Sequence, residues 1–492
     1  MKFAKLNKIA VGVSAIALLC SCVSLDEDLT GQPTPDKFFG SLTDFNSFIS
    51  GAYTPLLAIY GSDTPYVATA GGEDVNCYSV VRWRGFERAE VQTVSNPDEV
   101  TDVLWNNSYT SISSCNTLIA LVRDNTKLPT EQLNPIAGEA YFLRAFNYFN
   151  MVRWFGEIPI LTEDNQSNAA QEPQASVGAI YEQIVSDLKQ AEKLLPKVQN
   201  DASKPSTYAA KALLAKVYIA MAGFPLNRAE YYAEARDKAY EVMTDGKSDC
   251  GYGLEPKYLN LWLFDYRHTN PEFIFTLYAS SDNGSGGYIN RSVRPSVEGG
   301  WADWTSDQRF LSVFPTGDGS RVEGTFYLTF NDGSSWQEAD VAEPYCAKLR
   351  DGGPKSGGFY GSSVASLADG FYSILRYADV LLTYAEAANM AENSPSATAY
   401  SALNEVRKRA GLNELSGLSK EQFDKAVLDE RNWEFAFECN RWFDMCRRHI
   451  VADVIKNYYP DVHITDNNYL LPKPTDQLTI MTGVTQNEGY TR

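Results

Sequence analysis

The sequence predicts a mainly α protein in which helical pairs stack on one another and an irregular, loop-rich insertion with short strands interrupts the stack. Three observations carry that expectation. Residues 139–156, EAYFLRAFNYFNMVRWFG, are apolar nearly all round except for a narrow stripe of Arg144, Asn147, Asn150 and Arg153, so other elements must cover this helix on most sides. Alanines recur at helical spacing in 207–223 (Ala209, Ala212, Ala215) and again in 377–392 (Ala378, Ala385, Ala388), which lets neighbouring helix axes come close. Between Gly251 and Gly370 the texture changes to stretches such as SSDNGSGGYINRS, FPTGDGSRVEG and LRDGGPKSGGFYGSS, whose turn formers break short apolar runs such as EFIFTLY. Small and aromatic positions alternating in successive helix pairs follow tetratricopeptide-like logic, although no strict period of about 34 residues is present.

In chain order, residues 1–21 read as an export signal. Lys2, Lys5 and Lys8 form a positive start, Ile9 to Leu19 is apolar, and no acid precedes Asp26. The apolar run is too short to span a bilayer. Its end, Leu19-Cys20-Ser21-Cys22, fits a bacterial lipobox, with an apolar residue three positions before Cys22 and a small one immediately before it. Cys22 is therefore the lipidation candidate, and residues 22–42 the lipidated start and tether. Several acyl chains together hold a membrane lastingly where one does so only marginally. The competing reading is an ordinary cleaved signal with a bystander cysteine, although such signals usually end A-x-A.

Residues 43–250 read as the N-terminal helical region, helical almost throughout from Thr43 to Tyr240, and 251–370 as the loop-rich, ligand-facing region. Long loops that a domain keeps are usually functional. Residues 371–492 read as helices followed by a largely non-periodic tail from Ile450. AYSALNEVRKRAG ends with Arg407, Lys408 and Arg409 and is followed by Gly411, a signed helix C-terminus. Ser419 and Gln422 predict a capping box for one long helix through FDKAVLDERNWEFAFECNRWFDMCRRH.

With 492 residues, 44% of them hydrophobic and 13% aromatic, the chain has material for a large core. Its formal charge of −19 argues against nucleic acid as a partner and against a basic membrane-surface patch. Beyond the lipobox, Cys77, Cys115, Cys250, Cys346, Cys439 and Cys446 are too irregularly spaced for a stapled framework. On one helix, Cys439 and Cys446 would lie roughly 10 Å apart, too far for a disulfide. With three histidines and neither C-x-x-C nor H-E-x-x-H spacing, zinc has little support. SDNGSG and TGDGS could supply oxygens to calcium, but neither forms a full ligand loop, so turns are expected there and no cofactor.

Eight stretches in order resemble the SusD/RagB family of outer-membrane nutrient-binding lipoproteins over nearly the whole chain. They are the lipobox with SCVSLDEDLTGQPTPDKFF, then GEAYFLRAFNYFNMVRWFGEIPIL, IYEQIVSDLKQAEKLLP, AAKALLAKVYIAM, LRYADVLLTYAEAAN, ALNEVRKRAGL, DERNWEFAFECNRWFDMCRR, and YLLPKPTDQL with TQNEGY. The resemblance implies a tetratricopeptide-like scaffold that contacts a SusC-like TonB-dependent transporter. It also implies loops that capture a glycan or other polymer fragment, and a surface-facing lipid anchor. SLDEDL after Cys22 resembles the acidic surface-export signal of such lipoproteins.

Glu430, Glu434 and Glu438 repeat every four residues and raise the alternative of a surface-anchored glycan hydrolase, since two carboxylates suffice for glycosidic cleavage. Arg431, Arg441 and Arg448 interleave with these acids and Asp444, so an ion ladder along the helix is the favoured reading and no catalysis is expected. Binding candidates are aromatic, because a sugar presents an apolar face and a hydroxylated edge. EDVNCYSVVRWRGFER supplies Asp74, Asn76, Tyr78, Arg82 and Trp83. GGYINRSVRPSVEGGWADWTSDQRF supplies Tyr288, Arg291, Trp301, Asp303 and Trp304, and Trp336 and Tyr360 lie in later loops. Trp105, Trp154, Trp433 and Trp442 fall in helical runs and read as scaffold.

Overall fold

The computed structural model describes residues 39–77, 80–361 and 367–491; Cys22 with the export segment, and Tyr78, lie outside the described residues. Seven helices form the stack: α1 (Leu42–Tyr60), α2 (Asp98–Arg123), α3 (Thr130–Phe155), α4 (Val177–Leu194), α5 (Thr207–Ala222), α6 (Tyr231–Glu241) and α7 (Tyr377–Ala391). Each packs against the next in this order, and α7 also carries α8 (Ala397–Arg409) and α9 (Lys420–Glu434). Serine side chains cap the N-termini of α4, α5 and α8 by accepting from backbone N–H groups of Ala179, Ala209 and Ala399. The predicted Ser419–Gln422 box starts α9.

The sequence patterns explain the packing. α3 is buried on nearly every face, and ends where Gly156 takes φ +68 against Leu470. Ala209, Ala212 and Ala215 of α5, and Ala378, Ala385 and Ala388 of α7, are all buried where helices meet. The chain leaves the stack after α6 and returns to it at α7, so the loop-rich region is an insertion between two helices that touch each other. Its root is a two-stranded antiparallel sheet, β1 (Phe273–Ala279) with β2 (Gly370–Arg376), in which Thr276 faces Ser373 and Leu277 faces Tyr372. β1 contains the apolar run read as a strand, and β2 runs directly into α7.

Two expectations are corrected. Helix is not continuous over 43–240: residues 61–77 and 80–97 form short helical turns and loops such as Thr64–Ala68 and Arg84–Glu87, punctuated by Pro65, Gly71, Gly72 and Gly85. The long C-terminal helix is broken. α9 stops at Glu434, Phe437 and Cys439 take positive φ (+62° and +56°), and α10 (Arg441–Arg447) and α11 (Val451–Tyr458) follow. The break frees the Glu434 carbonyl to accept from Tyr258 Oη at 2.6 Å, Arg376 Nη2 at 2.8 Å and Lys348 Nζ at 3.0 Å. It also separates Cys439 from Cys446, and all six described cysteines are unpaired.

The acids therefore pair across the fold instead of along one helix. Arg376 Nη1 meets Glu272 and Glu434 at 2.6 Å each, and its Nε meets Glu438 at 2.8 Å. Arg321 bonds Glu430 at 2.7 Å and Asp318 at 2.5 Å, Lys348 bonds Glu438 at 2.7 Å, Arg407 bonds Glu430 at 2.9 Å, and Arg409 reaches Glu272 and Glu434. Five cations thus face five carboxylates. Burial pushes the Glu434 carboxyl upward, but the guanidiniums of Arg409, Arg376 and Arg321 outweigh burial and hold it well below the usual carboxylate range.

Removing one member of a buried pair strands the others. Glu434→Ala is expected to lower unfolding free energy by about 3–5 kcal/mol in urea titrations. Because the folded carboxyl is depressed, its contribution is present above about pH 4.3 and is lost as pH falls through the folded value. Glu434→Gln should accordingly flatten the acid limb of the stability curve.

Candidate functional site

The exposed part of the insertion is built around the loop 288–305. Tyr288 N–H donates to the Gly61 carbonyl at 2.9 Å, Trp301 N–H to Arg291 O at 3.0 Å, and Asp303 N–H to Ser292 O at 2.8 Å, with Ala302 at φ +55 between them. Asn76 and Thr305 exchange backbone hydrogen bonds at 2.7 and 3.0 Å, which ties the early loop to this one. Trp301 is 44% exposed, has the Arg291 guanidinium 4.6 Å from its ring centre, and lies 5.8 Å from the Tyr288 ring. A large aromatic surface held open by a cation and a tilted second ring is unusual for a packing residue.

Beneath it lies a second aromatic layer. Trp83 stacks on Trp304 with centroids 5.4 Å apart and planes 10° from parallel. Arg82 spreads over Trp83 at 4.4 Å and pairs with Glu99 at 3.2 Å. Trp304 is buried and donates its indole N–H to Asp63 at 2.9 Å. Asp303, half-buried between Trp301 and Trp304, has its carboxyl pushed up to about 6 by burial and by the nearby Asp63 charge. Burial likewise raises Asp63.

The structure thus brings Arg82, Trp83, Tyr288, Trp301 and Trp304 into one region, with Trp301 the exposed ring and Trp83 and Trp304 a buried stacked pair. It does not bring Asp74 and Trp336 to this surface. Asp74 accepts from Phe437 N–H at 2.9 Å and so braces the break after α9. Trp336 packs in a separate core with Tyr327, Phe330 and Tyr345. Asn76 is buried and contributes through its backbone. Asp63 was not among the sequence candidates, because it falls in a stretch read as helical almost throughout, where the structure has a connector after α1. Trp105, Trp154 and Trp442 are buried scaffold and Trp433 is half-buried.

Glu434 and Glu438, on which the hydrolase alternative rested, are both engaged in the ion network, and Glu434, held ionised there, has no proton to give. Asp282 of SDNGSG is engaged by Lys355. Among the described residues no group of three His, Cys, Asp or Glu side chains is arranged to hold a metal ion.

Comparison with known proteins places this geometry. Residues 34–219 match the SusD-like_3 profile, described as starch-binding and associating with the outer membrane, and residues 344–490 match the SusD family profile, SusD_RagB. The chain belongs to the SusD/RagB family. SusD-like protein P2 of Formosa agariphila is 27% identical, covering 96% of this chain and 97% of its own. A SusD superfamily protein from Parabacteroides distasonis superposes with a TM-score of 0.78 at 26% identity, covering 91% of this chain and 99% of its own. A laminarin-binding SusD-like protein superposes with a TM-score of 0.76 at 23% identity, covering 91% and 99%. Membership implies outer-membrane association, and no described helix is long and apolar enough to cross a membrane.

In this SusD-family chain, Tyr288, Trp301, Asp303 and Trp304 all lie between the two matched stretches. The raised Asp303 carboxyl makes a testable point. Folding favours its protonated form, so that contribution is present below about pH 4 and is lost as pH rises through about 6. Asp303→Asn should raise the melting temperature at pH 8 and leave it nearly unchanged at pH 4 in thermal scans.

Proposed function

We propose that this chain is a surface-exposed outer-membrane lipoprotein, anchored through Cys22, that binds oligo- or polysaccharide nutrients and delivers them to a SusC-like TonB-dependent transporter. The observation that carries the reading is the open Trp301 face, flanked by Tyr288 and Arg291 and backed by Asp303. An aromatic face takes the apolar side of a sugar ring, while guanidinium and carboxylate take its hydroxyls. The starch-binding description of the matched profile and the laminarin-binding neighbour support a glycan ligand. Capture is reversible and breaks no bond. The helical stack is left as the surface for the transporter, and the SLDEDL run after Cys22 as the signal that turns the anchor outward.

The test is affinity electrophoresis of a soluble exported chain (Cys22→Ser) through gels containing laminarin, starch and other polysaccharides, with reducing ends assayed in the same lanes. Retardation by at least one polymer without new reducing ends is expected. Trp301→Ala should weaken it by about ten-fold or more, since stacking on an aromatic face contributes on the order of 1–2 kcal/mol. New reducing ends that vanish in Glu434→Gln would restore the hydrolase alternative. Stable co-purification with the transporter but no retardation on any polymer would leave a structural lid.

A further inference from the structure

The polar stripe of α3 finds partners along its length, with one exception. Arg144 pairs with Asp187 at 2.7 Å and Glu163 at 2.5 Å, Asn147 donates to Ser111 Oγ, and Asn150 donates to the Tyr60 hydroxyl. Arg153 donates Nε to the Phe149 carbonyl at 2.8 Å and Nη2 to Asn150 Oδ1 at 2.5 Å, and among the described residues it forms no ion pair. Its flat faces are covered by Phe149 and Phe443, with ring centres 3.8 and 3.9 Å from Cζ. No acceptor among the described residues meets its Nη1 edge.

The neighbouring charges do not supply the missing counter-ion. Asp379 is taken by Lys216 and Arg431, Asp444 by Arg431 and Arg447, Glu386 by Arg447 and Arg448, and Asp424 by Arg448. Four cations balance four carboxylates, and Arg153 is left over. Burial pushes its guanidinium down to about 10, so it stays cationic at neutral pH. A part-buried cation without a counter-ion is favourably placed to take an anion.

Arg153 lines a cavity of about 250 Å³ whose other walls include Val152, Tyr181, Ile219, Phe224 and Phe443. No residue of the insertion contributes to it, so it is separate from the Trp301 surface. Asp466 lies at its exposed rim, bonded to His449 Nε2 at 2.7 Å. An apolar cavity of roughly 150 Å³ admits benzene, so this one has room for a ring with a short chain. Its walls also carry Lys216, Arg431, Asn440, Asp444 and Arg447, but these already bond one another, Asp379 and Glu386.

We propose that this cavity binds a small amphipathic carboxylate, with its apolar body against the aromatic and aliphatic walls and its carboxylate on the free edge of Arg153. The charge-assisted bond completes the guanidinium, and the low-dielectric walls strengthen it.

Isothermal titration of the exported chain (Cys22→Ser) with 4-phenylbutyrate and with 4-phenylbutyramide tests this. Saturable one-to-one binding of the acid is expected, with the neutral amide about ten-fold weaker or more. Arg153→Met should abolish the discrimination, and Ala220→Leu, which fills the cavity from α5, should weaken both compounds. Equal affinity for acid and amide, or no saturable binding of the acid up to millimolar concentration, overturns the proposal. The acid-amide comparison needs no variant, so it decides the matter even where Arg153→Met fails to fold.

Discussion

Arg376 is the point on which the architecture turns. It ends β2, the last strand of the insertion, and the next residue begins α7, the helix that closes the stack. Its guanidinium holds Glu272 ahead of β1, Glu434 at the end of α9 and Glu438 in the turn beyond. A buried charge set of this kind contributes little net stability when complete and is severely destabilising when incomplete. It therefore acts as a geometric condition: the fold is satisfied only when both ends of the insertion, the α8 terminus and the broken α9 end arrive together. The break after Glu434 belongs to that condition, since an uninterrupted helix would engage the carbonyl that Tyr258, Lys348 and Arg376 require.

The insertion is tied to the scaffold at more than its root, since Arg321 and Lys348 enter the ion network and Ile289, Phe310 and Phe326 join the main core. The helices bury alanines and aromatics against one another and tolerate little change, whereas part of the loop region, around Tyr327, Phe330, Trp336 and Tyr345, packs in a smaller core of its own. The first matched stretch covers the early loops with Arg82 and Trp83 and the second begins within the insertion at 344, and neither includes Tyr288, Trp301 or Trp304. The exposed ring of Trp301 thus lies outside both matched stretches while its neighbours Arg82 and Trp83 lie inside one, and loops of this kind can vary on a shared scaffold.

Helices were legible where periodicity and caps agreed. The apolar girth of α3, the alanine rows of α5 and α7 and the Ser419–Gln422 box each reflect local physics that the structure keeps. The end of α9 was not legible, because acids and arginines at three- and four-residue steps satisfy a helical pattern as well as they satisfy a network in space. Only Arg376, Arg409, Arg321 and Lys348, distant in sequence, decide between the two. The site was legible by region and not by role. Trp83, Trp301 and Trp304 share loop-forming neighbours, yet only Trp301 is exposed. What separates them is the acceptor Asp63 for Trp304 and the facing ring of Trp83, contacts that local composition does not encode.

The two buried ion clusters make an instructive contrast. Around Arg376 five cations meet five carboxylates, and every one of these cations has a carboxylate partner. Around Arg431 the balance is reached by Lys216, Arg431, Arg447 and Arg448 alone, with Arg153 standing outside it between two phenyl rings. A methionine at 153 would fill the same space between Phe149 and Phe443 without a desolvation penalty. Two hydrogen bonds and two phenyl faces hold the guanidinium in place without neutralising it, and the cavity beside it is where an anion could do so.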